Sequence, residues 1–194
     1  MLFAAGCFGR TKPPLLVEQY TLEYAPPAAD ASVRIDGSIK IERFSAAQSF
    51  NSPAMLYRPQ TYKLAAYNYN RWRVNPGDMV TDFLARDFRT SNVFSAVFTY
   101  RDIENTRFFI EGGVEEFLET LEDDNWKAVL KLNVSFIDGS QKELTKRLVF
   151  QKQYHFSESL KGHSPEEFAR GMSLNMQRFS EQLIKDIKIS QKML

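Results

Sequence analysis

This sequence has one cysteine in 194 residues, Cys7, and two histidines, His155 and His163. A single thiol excludes an intrachain disulfide, so packing must hold the fold. Two histidines with no cysteine near them exclude the usual spacing of a structural zinc site. Net charge is small, with 25 basic residues against 24 acidic ones. Such a chain has no global field to attract nucleic acid or anionic lipid, and recognition has to be local. No apolar run approaches the roughly 20 residues of a membrane-spanning helix. The sequence also lacks a P-loop, a G-x-G-x-x-G turn and a G-x-S-x-G elbow, so neither nucleotide binding nor a serine nucleophile is signalled. Internal repeats and low-complexity tracts are absent as well.

What is present is a globular composition, 43% hydrophobic and 13% aromatic, in a length suited to one domain. Leu2-Phe3-Ala4-Ala5-Gly6-Cys7 has the form of a lipobox, in which small residues precede a cysteine that receives lipid. Residues 1–7 are therefore read as a partial lipoprotein signal, 8–16 as a linker rich in Pro, Gly and basic residues, and 17–190 as one domain.

Within that domain, Val17 to Tyr24 reads as a first strand and Ser32 to Phe44 as a second, with a bulge or turn at Gly37. Asn75-Pro76-Gly77-Asp78 predicts a helix start, with Met79, Val80, Phe83, Leu84 and Phe88 as its buried stripe and Asn92 as a left-handed C-cap. A strand from Phe94 follows. Three long strands come next, with a bulge near Gly112-Gly113 or Glu115-Glu116 and a turn at Glu122-Asp123-Asp124-Asn125. The second of these strands points Ala128, Leu130, Leu132, Val134 and Phe136 inward, and Asp138-Gly139 makes a tight return into Lys142 to Tyr154. Ser164 and Glu167 form a capping box for a last helix whose stripe is Phe168, Met172, Met176, Phe179, Leu183 and Ile187. The fold class expected is α/β of the α+β type: a single domain with a mostly antiparallel sheet and two main helices packed on it.

The least ordinary stretch is Met55 to Trp72, where Tyr57, Tyr62, Tyr67 and Tyr69 alternate with Arg58, Lys63 and Arg71. Pro59 divides it into two extended segments. In the second, Lys63, Tyr67, Tyr69 and Arg71 share one face, and Tyr62, Leu64, Asn68 and Trp72 the other, so neither face is cleanly apolar. Hairpin packing and a contact surface for protein or lipid both fit. A nucleic-acid platform fits less well, because the chain is nearly neutral. Glu115, Glu116, Glu119 and Glu122 could supply a carboxylate pair but read as a solvated strand face, and His155 and His163 read as a strand-end and a loop histidine.

Phe44-Ser45-Ala46, Met55-Leu56-Tyr57-Arg58, Tyr62, the run Tyr67-x-Tyr69-x-Arg71-Trp72, Pro76, Met79, Leu84 and Phe94-Ser95-Ala96-Val97 together resemble the ABC-type transport auxiliary lipoprotein family, which includes the PqiC-like lipoproteins accompanying MCE-domain lipid transport systems. Asn70 stands where that run often carries histidine. The resemblance implies a non-enzymatic lipoprotein without a cofactor, attached through Cys7 to the periplasmic face of the outer membrane. Its implied partners are an ATPase, a permease and an MCE-type substrate-binding subunit, with self-association left open. A lipid-carrying domain is the alternative, and an envelope enzyme a more distant one. Tyr57, Arg58, Tyr62, Tyr67, Tyr69, Arg71 and Trp72 are the candidate motif and docking residues.

Overall fold

The computed structural model describes residues 16–29 and 34–192, so Cys7 and the linker up to Pro14 lie outside the described residues. The elements are β1 (Glu18–Tyr20), β2 (Ile35–Ile41), β3 (Ser45–Ala46), a 3-10 turn (Gln48–Phe50), β4 (Ala54–Gln60), β5 (Lys63–Trp72), α1 (Pro76–Ser91), β6 (Phe94–Thr99), β7 (Phe108–Glu122), β8 (Asn125–Asp138), α2 (Leu144–Arg147), β9 (Leu148–Ser159) and α3 (Pro165–Lys192).

The long strand β7 is the spine. Along one edge it pairs antiparallel with β8, which pairs antiparallel with β9. Its other edge is shared by three strands in series, all parallel to it: β2 beside Phe108–Ile110, β3 beside Gly113–Val114 and β4 beside Glu119–Thr120. Beyond these, β6 extends the sheet from β2, and β5 with β1 extends it from β4. The sheet is thus mixed rather than mostly antiparallel. Parallel strands usually betray themselves by being apolar on both faces, because helices cover both. Here β2 keeps an alternation, with Ile39 and Ile41 buried and Lys40 between them partly exposed, which reads like a half-solvated antiparallel strand.

Local signals hold well. Asn75 Oδ1 accepts from the Asp78 amide at 3.0 Å, Pro76 opens α1, and Asn92 closes it at φ 56°. Gly77 is required by close approach, since a Cβ there would strike the Phe44 carbonyl. Gly37, at φ 125°, sits at the register shift in β2. The β7 bulge falls between Val114 and Glu116. Asp123 and Asp124 both take positive φ and make the two-residue turn between β7 and β8. The five inward residues of β8 and the six of the α3 stripe have no exposed surface, so α3 fills the space it shares with the sheet.

Other expectations need correction. The first strand is three residues long, because β5 ends at Trp72; beyond it the chain drapes over the helices, with the Glu23 amide donating to Ser173 Oγ at 3.0 Å and the Tyr24 hydroxyl to Asp87 at 2.7 Å. The return after Asp138 is not tight, and Leu144 lies in the short α2 rather than in a strand. Ser164 caps the Glu167 amide at 3.2 Å, but the Glu167 carboxylate turns to the Lys161 amide and Arg170 instead of closing the box. With α2 there are three helices.

Candidate functional site

The β4–β5 hairpin turns at Thr61-Tyr62, since Gln60 pairs with Lys63, and Pro59 lies within β4 instead of interrupting it. Ala54 pairs with Arg71 and Leu56 with Ala66, so two steps of β4 are matched by five of β5. Three extra residues reverse the parity of β5 across this bulge. That is why Tyr67 and Trp72, placed on opposite faces by simple alternation, both point toward the helices. Trp72 is 1% exposed and meets Phe117 and Phe168 edge-on, with centroids at 5.3 and 5.1 Å. Arg71 donates to the Tyr67 carbonyl and, at 2.9 Å, to the Asn70 carbonyl. Its guanidinium therefore bonds two backbone oxygens inside the bulge.

Midway along the hairpin, Tyr57 and Tyr67 join Glu119 of β7, Trp126 of β8 and His163, which precedes α3. Glu119 has no exposed surface. Its carboxylate accepts from the Tyr67 hydroxyl at 2.8 Å and lies 3.1 Å from His163 Nδ1, which is also 2.9 Å from the Tyr67 oxygen. Trp126 stacks on the imidazole at 4.0 Å and 15°, and Tyr57 meets its edge at 4.8 Å. Burial raises the Glu119 carboxyl above its ordinary value, and the His163 and Tyr67 hydrogen bonds offset this only in part. The Tyr67 phenol is raised as well, by burial and then by the neighbouring carboxylate. The group can hold and exchange a proton while fastening three parts of the chain together. Among the described residues, the side-chain contacts of His163 are with Tyr57, Tyr67, Glu119 and Trp126.

Sequence reading named Tyr57 and Tyr67 but gave no site role to Glu119, Trp126 or His163. One signal was available: Glu119 lies between Phe117 and Leu121 on the same parity, and a carboxylate on an apolar strand face needs partners. The remaining motif residues stay apart from the cluster. Tyr62 is fully exposed at the tip, at 103%, in the left-handed region at φ 66°. Leu64 and Tyr69 are exposed along β5, and Arg58 lines a shallow depression with Tyr62 and Glu122.

The family of ABC-type transport auxiliary lipoprotein components matches residues 20–184. This chain belongs to that family. Among solved structures, the auxiliary lipoprotein superposes on protein XCC0632 from Xanthomonas campestris, assigned to family DUF330, with a TM-score of 0.78 at 17% identity, covering 91% of this chain and 97% of that one. The hypothetical protein CT253 from Chlamydia trachomatis superposes with a TM-score of 0.58 at 11% identity, covering 79% and 96%. Identities this low carry the fold alone. No curated protein matches the sequence.

As an auxiliary lipoprotein, the chain is associated by its family with an ABC transport system and the cell envelope. No helix among the described residues is long and apolar enough to cross a membrane. Nor do the described residues contain a cluster of three metal-binding side chains. A depression of about 710 Å³ lies on the sheet, lined by Glu42, Arg43, Tyr100, Phe109, Asn133 and Gln151 among others, a mixed polar wall.

Proposed function

We propose that this auxiliary lipoprotein is a non-enzymatic subunit of an MCE-associated intermembrane lipid transport system, anchored through Cys7 at the periplasmic face of the outer membrane, and that it docks on the transporter through the tip and outer side of the β4–β5 hairpin. The observation that carries the docking reading is Tyr62. A bulky residue rarely adopts positive φ, and the cost is normally met by packing. Tyr62 packs on nothing, being fully exposed. Neither backbone preference nor burial selects tyrosine there, which leaves recognition. Exposed aromatic anchors of this kind dominate protein interfaces. On this reading the family motif divides: Arg71 and Trp72 build the hairpin, Tyr57 and Tyr67 fasten its middle to the sheet, and Tyr62, Tyr69 and Arg58 face the partner.

Tyr62→Gly tests the division. Glycine accepts φ 66° freely, so thermal stability holds or rises by up to about 1 kcal/mol. Association with the co-expressed ATPase, permease and MCE subunits should weaken by about 2 kcal/mol or more. Undiminished association would remove Tyr62 from the interface.

A further inference from the structure

We infer that the open edge of β5, from Lys63 to Tyr69, receives an extended segment of a protein partner as an added strand. The inference rests on the docking reading above and specifies its mode. Among the described residues β1 pairs with β5 only from Asn70 to Trp72, and the outer backbone of the preceding seven residues has no strand neighbour. Such an edge is a template for pairing unless it is guarded by charge, proline or cover. Lys63 is the only charged residue in this stretch, and Ala65 and Ala66 offer no bulk against an approaching strand.

The outer edge of β9 also has no strand neighbour among the described residues, but apart from Leu148 at its first position its exposed residues are Gln151, Lys152, Gln153, His155, Ser157 and Ser159, a polar guard. At the β6 edge only Ser95 is exposed. By contrast, six of the nine large apolar side chains exposed among the described residues border the β1–β5 edge: Leu16, Val17, Tyr62, Leu64, Tyr69 and Val74. Apolar side chains beside a backbone edge with no strand neighbour among the described residues call for an occupant that supplies both apolar contact and backbone hydrogen bonds. Acyl chains supply only the first; an extended peptide with apolar residues at alternate positions supplies both. β1 already adds to the same edge in cis, in parallel register, so the site continues an existing pairing.

The test uses the full-length lipoprotein in cells that express the whole transport system. A photo-crosslinking amino acid is placed in turn at Leu64, Ala66 and Asn68, all exposed, and at Gln153 on the guarded β9 edge as a control. The expected result is crosslinking from the three β5 positions to one segment of a transporter subunit, the crosslinked residue advancing by about two per step as strand pairing requires, and none from Gln153. Crosslinks to a transporter subunit that do not advance in register would overturn strand addition while leaving docking in place. Crosslinks only to a second copy of this chain, only to lipid, or none at all would overturn both.

Discussion

Glu119 Oε1 lies 3.1 Å from His163 Nδ1, so a carboxylate with no exposed surface ties the loop before α3 to the central strand of the sheet. Because burial raises this carboxyl above 4.5, the folded state holds its proton more tightly than the unfolded state does. The resulting stability is fully present below pH 4.5 and is lost as pH rises through the folded value. Glu119→Gln keeps the shape and the acceptor for Tyr67 but removes the titration. Urea unfolding of both proteins across pH 4 to 8 should show wild type losing stability relative to the variant as pH rises, then a plateau. A difference independent of pH would contradict the burial account.

Trp72 separates core from interface. Its contacts with Phe117 and Phe168 predict a loss of about 3–5 kcal/mol for Trp72→Ala, measured by denaturant unfolding. The indole Nε1 has no hydrogen-bond partner among the described residues, so Trp72→Phe forfeits packing volume alone and should cost less than half as much.

Arg71 is expected to act on the bulge. Arg71→Ala leaves the Tyr67 and Asn70 carbonyls without their donor and should destabilise by about 1–3 kcal/mol. Hydrogen exchange localises the effect: amides from Tyr67 to Trp72 should lose protection while those of β8 keep theirs. Uniform loss across the sheet would show that Arg71 does more than hold the bulge.

Acid stability depends on Asp138. Burial opposes its ionisation, yet hydrogen bonds from Arg107, at 2.9 Å, and from Ser140 hold the carboxyl at about 2, below its ordinary 3.8. A lowered folded pKa contributes stability above 3.8 that disappears as pH falls through 2. Arg107→Gln should therefore be less stable than wild type at pH 5, and the gap should close on acidification toward pH 2. A gap that persists at pH 2 would assign the role of Arg107 to packing over Phe108 instead.

What could be read from the sequence was what a few neighbouring residues decide together. Asn75 and Pro76 start α1, Asn92 ends it, and the alternation from Ala128 to Phe136 and the α3 stripe give the core faces, each within one or two turns or strand steps. What escaped depends on distant partners. The parity reversal in β5 follows from its match to β4, and the two-residue β3 exists only because Gly113 and Val114 lie beside it. His163 looks like any loop histidine until Glu119, 44 positions away, is folded beneath it. Tyr62 was singled out by residue type, but its left-handed backbone, the feature that separates it from the other tyrosines, has no trace in composition or spacing.

The sharing of one β7 edge by β2, β3 and β4 also sets an order of assembly. While the chain emerges, β4 can pair with β5 and β2 with β6 around α1, making two strand pairs that share no ladder with each other. Only when β7 arrives does one strand run beside both and close the seam at Ser45-Ala46. A chain stopped short of Phe108 would thus hold two unfinished sheets with exposed edges, vulnerable to proteolysis until the spine is in place.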